Sequence, residues 1–159
     1  LPLSVEEYEI MKQHTIQGAR LFSGLQSDYD EAAAVIALNH HEKWDGTGYP
    51  GHVDPITGNA LPGYESSDDG GALPGKRGKE IPLLGRIVAI ADVYDALSSK
   101  RSYKEAWDES RSIEAVSRGA GLHFDPELVE IFLGRMAFIR VIQDRYTEAP
   151  AESTIRTGF

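Results

Sequence analysis

The chain contains no cysteine, and this absence limits the chemistry that it can host. Without cysteine there is neither a disulfide framework nor a metal site built from thiolates. Any bound transition metal must therefore be held by imidazole and carboxylate groups, which suit Fe, Mn, Zn, Ni or Co. The same absence is compatible with a reducing compartment, and we expect a cytoplasmic location.

Long apolar runs and an excess of positive charge are also missing. No stretch of the sequence is apolar for long enough to span a bilayer. Basic residues number 16 against 25 acidic ones, which gives a net charge of −9. We therefore expect no membrane span in this chain and no surface for duplex nucleic acid, which requires a basic stripe. A small anionic ligand is still compatible, because a metal and a few cations set the potential inside a pocket.

The remaining composition favours one helical domain. The chain has 159 residues, of which 41% are hydrophobic, so it can bury a core of its own. Apolar residues recur at helical spacing and no segment alternates as a strand does, which predicts an all-α bundle of five or more helices. Start signals are clear at the Ser4–Glu7 capping box and at Asp125-Pro126. The predicted helices span about 5–22, 30–41, 82 onwards, 109–118 and 126–142.

One long stretch, from Pro50 to Lys79, breaks this periodicity. It is rich in Gly, Pro, Asp and Ser. Irregular segments of this length inside a compact domain are usually functional or disordered. We therefore predict one domain over residues 1–146 with an irregular insertion at about 51–79, followed by a frayed tail at 147–159.

Two adjacent histidines, His40 and His41, stand between an apolar segment and a loop that contains Trp44 and Tyr49. Imidazole is costly to bury without a partner. One interpretation is structural, with one ring buried and satisfied while the other caps a helix in solvent. The alternative is metal ligation, in which rings about 100° apart on a helix serve different metals. A third imidazole, His14, is predicted on the core side of the first helix.

A carboxylate and several cations follow downstream. Asp92 stands in an apolar helical run, where an unpaired carboxylate is costly to ionise. Three imidazoles and one carboxylate on three helices favour metal ligation over four separate structural roles. Asp95 continues the helix face of Asp92, and the cations Lys100, Arg101 and Lys104 form either a solvated helix end or a phosphate site. The apolar side of this helix is predicted to comprise Leu84, Ile87, Val88, Ala91 and Ala96.

These residues resemble the signature of a known family. The run from His40 to Pro50, His-His-Glu-Lys-Trp-Asp-Gly-Thr-Gly-Tyr-Pro, is similar to the defining motif of HD-GYP domains. Those domains are bacterial cyclic-di-GMP phosphodiesterases of the HD metal-dependent phosphohydrolase superfamily. Further segments match in the same order, at residues 11–14, 78–83, 86–96, 101–104 and 121–126. The resemblance covers roughly residues 1–135 and implies an all-α HD-domain bundle.

By position, the resemblance implies a metal-dependent hydrolysis of cyclic-di-GMP to pGpG or GMP. It implies two or three divalent transition-metal ions, with Fe or Mn expected first and Zn, Ni or Co as alternatives. The implied metal ligands are His14, His40, His41 and Asp92, with His41 and Asp92 at the catalytic centre. The implied substrate-binding residues are Tyr49, Asp95, Arg101 and Lys104. Such domains commonly follow receiver or sensory domains, so an upstream regulatory partner is implied as well.

The sequence departs from the family pattern in two places. No histidine is followed by aspartate, so the dipeptide that names the superfamily is absent, and we expect a fragment that begins downstream of it. The stretch from Pro50 to Glu80 is also much longer than its counterpart in the family. These departures leave a rival function open: a degenerate module that binds a nucleotide or a partner protein through the Gly-Tyr-Pro loop without hydrolysis.

Overall fold

The computed structural model describes residues 3–24, 27–65, 73–99 and 106–147. In these ranges the chain forms seven α-helices and one 3-10 turn, at Gly78–Glu80. The helices are α1 (Val5–Lys12), α2 (His14–Leu21), α3 (Asp28–Asn39), α4 (Leu83–Ser98), α5 (Glu109–Arg118), α6 (Pro126–Leu133) and α7 (Met136–Thr147). The same ranges contain isolated bridges but no strand, which confirms the all-α prediction. None of the described helices is long and apolar enough to cross a bilayer.

Two of the predicted helices are each divided into a pair. The predicted helix over 5–22 breaks at Gln13, where the side chains of His14 and Thr15 bind the carbonyls of Met11 and Lys12. Such local bonds compete with the regular backbone pattern of a helix. The predicted helix over 126–142 breaks at Gly134, the residue type with little helix propensity. The predicted tail beyond Thr147 lies outside the described residues.

The core forms around α4, which packs against α3 on one side and α5 and α6 on another. Its buried side chains are not those predicted from the sequence. Ala89, Ile90 and Tyr94 are buried, together with Val116 of α5 and Phe124 before α6. The predicted apolar side is wrong because its members Leu84, Ile87 and Ala91 are exposed. Apolar residues occur all round this helix, and periodicity cannot choose a face in such a case.

Gly85 lets α4 approach the end of α3 closely. A Cβ atom at this position would lie 2.7 Å from Cβ of Asn39 and 3.2 Å from its carbonyl oxygen. Asn39 is buried and is the last residue of α3, directly before the histidine pair. The glycine therefore fixes how near α4 comes to the histidines.

We expect Gly85→Ala to lower the free energy of unfolding by about 1–3 kcal/mol, the usual cost of overpacking a close contact. Urea denaturation measures the change. The matched control is Gly134→Ala, because a Cβ there would meet only backbone oxygens, at 3.4 and 3.5 Å, and the residue already has helical angles. The control should leave the free energy of unfolding unchanged or raise it by up to about 1 kcal/mol, because alanine fits these angles. An equally small effect at Gly85 would contradict the close crossing of α3 and α4.

Candidate metal centre

Three imidazole rings meet where α2 begins and α3 ends. His14 is the first residue of α2, His40 is the C-cap of α3, and His41 follows it. One donor nitrogen from each ring lies within 4.8 Å of the other two. Nitrogens this close can share a single ion. The expectation that His40 and His41 serve different metals assumed a continuous helix, whereas α3 ends at Asn39 and both rings lie beyond it.

The rings of His14 and His40 are each oriented by a hydrogen bond on the nitrogen that faces away from the other. Nδ1 of His14 lies 2.6 Å from the carbonyl oxygen of Met11, and Nδ1 of His40 lies 3.0 Å from those of Ile36 and Ala37. A carbonyl only accepts, so Nδ1 carries the proton in both rings and Nε2 presents a lone pair. This is the arrangement by which outer contacts orient metal-binding histidines.

The distance between these two lone pairs fits a metal ion. Nε2 of His14 and Nε2 of His40 are 3.4 Å apart. When each ring carries only its Nδ1 proton, this contact brings two lone pairs together. Two nitrogens bound at 2.0–2.1 Å around a tetrahedral ion are separated by roughly 3.4 Å. The donor set therefore fits a transition metal, and a cation between the nitrogens would relieve the repulsion of their lone pairs.

His41 completes the cluster as a neutral ring. The pKa of His41 is lowered to about 4, mainly by burial and to a smaller extent by the neighbouring rings of His40 and His14. At neutral pH the ring is uncharged, which is the form that binds metal without first losing a proton.

Asp92 lies beside the cluster and not inside it. Its carboxylate is not among the donors that lie within 4.8 Å of one another. Its charge is nevertheless close enough to act electrostatically on both His41 and Tyr49. The side chain is exposed, so the expectation that burial makes its ionised form costly is wrong. An exposed carboxylate next to three imidazoles is still available to a metal ion.

The Gly-Tyr-Pro loop folds back onto the histidines. The ring of Tyr49 stacks on that of His41 with centroids 4.9 Å apart and planes 27° from parallel. The backbone N–H of Tyr49 donates to the carbonyl of His41 at 3.2 Å, and its hydroxyl lies 3.8 Å from the sulfur of Met11. Burial raises the pKa of Tyr49 to about 12, with smaller contributions from Tyr8 and Asp92. Tyr49 is therefore a wall of the cluster, and its hydroxyl stays protonated.

Glu42 holds the loop in this position, and sequence reasoning missed it. The side chain is 1% exposed. Oε1 accepts from the backbone N–H of Gly51 at 2.5 Å, and Oε2 accepts from that of Lys76 at 2.9 Å. Burial raises the pKa of Glu42, while these two hydrogen bonds oppose the shift. The available signal was an acidic residue between the histidine pair and a Gly- and Pro-rich loop whose turns leave N–H groups to satisfy.

The two residues bound by Glu42 stand near the two ends of the predicted insertion. Gly51 follows the Gly-Tyr-Pro motif, and Lys76 precedes the 3-10 turn. Lys76 also donates through Nζ to the side-chain oxygen of Asn39 at 2.7 Å. In the described parts of the insertion, 51–65 and 73–79, the backbone is largely irregular, as predicted, and both ends are fixed to the histidine segment.

The remaining predicted site residues lie further along the chain. Asp95 is exposed, and its carboxylate accepts from the hydroxyl of Ser99 at 3.0 Å. Arg101 and Lys104, predicted to contact phosphates, lie outside the described residues.

A family model described as HD domain matches residues 2–63 and 52–128 of this chain. The chain belongs to the HD-domain family. This result confirms the resemblance drawn from the His-His and Gly-Tyr-Pro run. HD domains form a metal-dependent superfamily, and the three converging histidines are a group that could hold a metal ion.

Two relatives of this HD domain come from Vibrio cholerae. The 3'3'-cGAMP-specific phosphodiesterase 2 is 37% identical over 131 residues, which cover 82% of this chain and 21% of the relative. A cyclic di-GMP phosphodiesterase is 39% identical over 136 residues, covering 82% of this chain and 23% of the relative. The chain thus spans about a fifth of the length of these two relatives.

The fold of the HD domain also resembles a solved structure. A crystal structure of a cyclic GMP-AMP specific phosphodiesterase from V. cholerae superposes with a TM-score of 0.53. The superposition covers 93% of this chain and 30% of that chain, at 21% identity. Likeness at this identity supports the fold and leaves the activity to other arguments.

Proposed function

We propose that this HD domain contributes to the metal-dependent hydrolysis of a cyclic dinucleotide in bacterial second-messenger signalling. The observation that carries the proposal is the convergence of His14, His40 and His41 beside Tyr49. The activities of two relatives, a cyclic di-GMP phosphodiesterase and a 3'3'-cGAMP-specific phosphodiesterase, support the substrate class. Cyclic-di-GMP is the proposed substrate, with pGpG or GMP as the product.

In this proposal His14, His40, His41 and Asp92 hold two or three divalent ions, Fe or Mn first and Zn, Ni or Co as alternatives. When bound, such ions polarise a phosphoryl oxygen and lower the pKa of a water molecule. The carbonyls of Met11, Ile36 and Ala37 support the proposal, because they aim Nε2 of His14 and His40 at the same point.

The other proposed contacts come from the chain around this cluster. Tyr49 lines the nucleotide side, Asp95 stands near the substrate, and Arg101 and Lys104 bind the phosphates. Guanidinium and ammonium groups suit phosphate oxygens through charge-assisted hydrogen bonds. A cytoplasmic location and an upstream receiver or sensory domain are also proposed. The short share of each relative that this chain covers supports the presence of further domains in the relatives.

A second candidate function is binding of a nucleotide or a partner protein at the Gly-Tyr-Pro loop without turnover. It is favoured by the long stretch from Pro50 to Glu80, which departs from the family pattern directly after the Gly-Tyr-Pro loop. The retention of three histidines with metal-binding geometry favours hydrolysis instead.

The test measures metal content and turnover together on the full-length parent protein. We expect at least two transition-metal ions per chain and hydrolysis of cyclic-di-GMP. Asp92→Ala should lower turnover by at least about 100-fold, because loss of a proposed metal ligand removes the charge stabilisation that the metal supplies. The control is Asp144→Ala, an exposed aspartate on α7. Nucleotide binding without metal or turnover would establish the second candidate in place of the first.

A further inference from the structure

A cavity of about 470 Å³ lies next to the histidine cluster. One wall is formed by α1 and the start of α2, through Tyr8, Lys12 and Gln13. The Gly-Tyr-Pro loop provides a second wall, through Tyr49. The cavity falls within the size range of sites for small organic ligands. None of the three clustered histidines lines it, so it is a separate space that adjoins the proposed metal centre.

The third wall comes from the predicted insertion, through Val53, Gly58 and Leu73. Val53 is 4% exposed, so this part of the insertion packs firmly. Arg20 of α2 donates to the carbonyl of Pro55 at 2.9 Å and ties the insertion to this helix. The segment that distinguishes this chain from the family pattern therefore shapes the cavity.

Lys12 and Glu9 bring a paired cation and anion into the cavity. Nζ of Lys12 lies 2.6 Å from Oε1 of Glu9, and the lysine side chain is only 20% exposed. The same nitrogen lies 5.4 Å from the ring centroid of Tyr8 and 5.7 Å from that of Tyr49. Both distances are within the range of a cation–π contact, so the ammonium is held at a defined position. It still has hydrogen-bond donors for a ligand, and the carboxylate still has acceptors.

Tyr49 connects the cavity to the proposed metal centre. Its ring lines the cavity and also stacks on His41 at 4.9 Å. The ring of Tyr8 stands at 77° to that of Tyr49 with centroids 6.3 Å apart, which gives the cavity two aromatic surfaces. Aromatic side chains bind nucleobases by stacking. A phosphodiester at the histidines would thus have a site for one of its bases on the far side of Tyr49.

We infer that Lys12 and Glu9 determine which base this cavity accepts, and that they favour guanine; the inference rests on the proposed function. Guanine presents the acceptors O6 and N7 to a lysine, whereas adenine presents an amino donor at the position of O6. The donors N1–H and N2–H₂ of guanine match a carboxylate. Adenine would set its amino group against the ammonium of Lys12. Neither of these two donors would then find an acceptor in the other, which is costly in a confined site.

The experiment compares cyclic-di-GMP, 3'3'-cGAMP and cyclic-di-AMP on the full-length protein. Affinities are measured by calorimetry in EDTA, where hydrolysis cannot consume the ligand, and initial rates are measured after metal loading. We expect the order cyclic-di-GMP, then 3'3'-cGAMP, then cyclic-di-AMP in both. Lys12→Met should weaken cyclic-di-GMP binding about tenfold, as expected for loss of a specific base contact, and change cyclic-di-AMP binding less than about twofold. Glu9→Gln should shift the preference in the same direction.

Two controls separate base recognition from general effects. Lys12→Arg should keep the guanine preference, since arginine also donates to O6 and N7. Lys79→Met, at an exposed lysine of the 3-10 turn that does not line the cavity, should change none of the three affinities. If Lys12→Met weakens all three ligands equally, or none, the inference fails while the hydrolytic function stands. If the unmodified protein neither binds nor hydrolyses any cyclic dinucleotide, the proposed function fails and the inference falls with it.

Discussion

Replacing His41 by alanine is expected to weaken transition-metal binding by more than about 100-fold, because loss of an outer contact alone costs about 10–100-fold. The loss should be large because His41 is the neutral ring of the cluster, with a pKa lowered by burial to about 4. No proton competes with the metal for it near neutral pH. Co²⁺ titration followed by absorption spectroscopy measures the affinity, and hydrolysis of cyclic-di-GMP should be lost with the metal.

His52→Ala is the matched control for this prediction. His52 lies in the predicted insertion and stacks on Tyr64 with centroids 3.7 Å apart, outside the group of clustered donors. Its removal should leave metal affinity unchanged. His14→Ala is a second variant, because His14 is exposed at the start of α2 and its loss disturbs little packing. Full metal affinity in both His14→Ala and His41→Ala would remove the cluster from consideration as a metal centre.

The residue types of the cluster could be predicted from the sequence, but their convergence could not. His14, His40 and His41 stood out because an imidazole group on an apolar segment is costly to bury without a partner. Their convergence depends on the break at Gln13. Sequence periodicity predicts one continuous helix through this position. The break allows Nδ1 of His14 to bind the carbonyl of Met11 and to aim Nε2 at His40. A short local interruption of this kind leaves no pattern in the spacing of apolar residues.

The environment of Asp92 shows a second limit of sequence reasoning. Apolar neighbours on both sides in the sequence suggested burial, and the structure places the side chain in solvent. The face of α4 that carries Leu84, Ile87 and Ala91 is exposed with it. A helix that is apolar on every side can bury either face, and the choice is made by partners such as Phe124 and Val129. Those partners come from distant parts of the chain.

The irregular backbone of the insertion could be predicted from the sequence. Its role as one wall of the cavity could not. Its Gly and Pro content correctly excluded regular structure, since these residues interrupt both helices and strands. Its ordering depends on hydrogen bonds between residues far apart in sequence, such as Glu42 with Lys76. Glycines make the approach feasible, because a Cβ on Gly51 would lie 2.4 Å from the carbonyl oxygen of Pro74. Such long-range contacts carry no periodic signal.

The second large prediction concerns Glu42, which we expect to be essential for stability. Glu42→Ala should lower the free energy of unfolding by about 3–4 kcal/mol, because each buried donor left without an acceptor costs about 1–3 kcal/mol. Two donors are affected, the backbone N–H groups of Gly51 and Lys76. Urea denaturation measures the loss. Glu130→Ala, at an exposed glutamate on α6, is the control and should change stability by less than about 0.5 kcal/mol.

Glu42→Gln separates the hydrogen bonds of Glu42 from its size. The amide keeps one acceptor but places an NH₂ donor against the other backbone N–H, so roughly half of the alanine effect should persist. The loss should also reach the metal centre, because Gly51 is only two residues from Tyr49, whose ring stacks on His41. A freed loop lets this ring leave the cluster, and metal affinity should fall less than in His41→Ala. Unchanged stability in Glu42→Ala would mean that the insertion holds its place without this carboxylate, and the wall of the proposed guanine site would need another anchor.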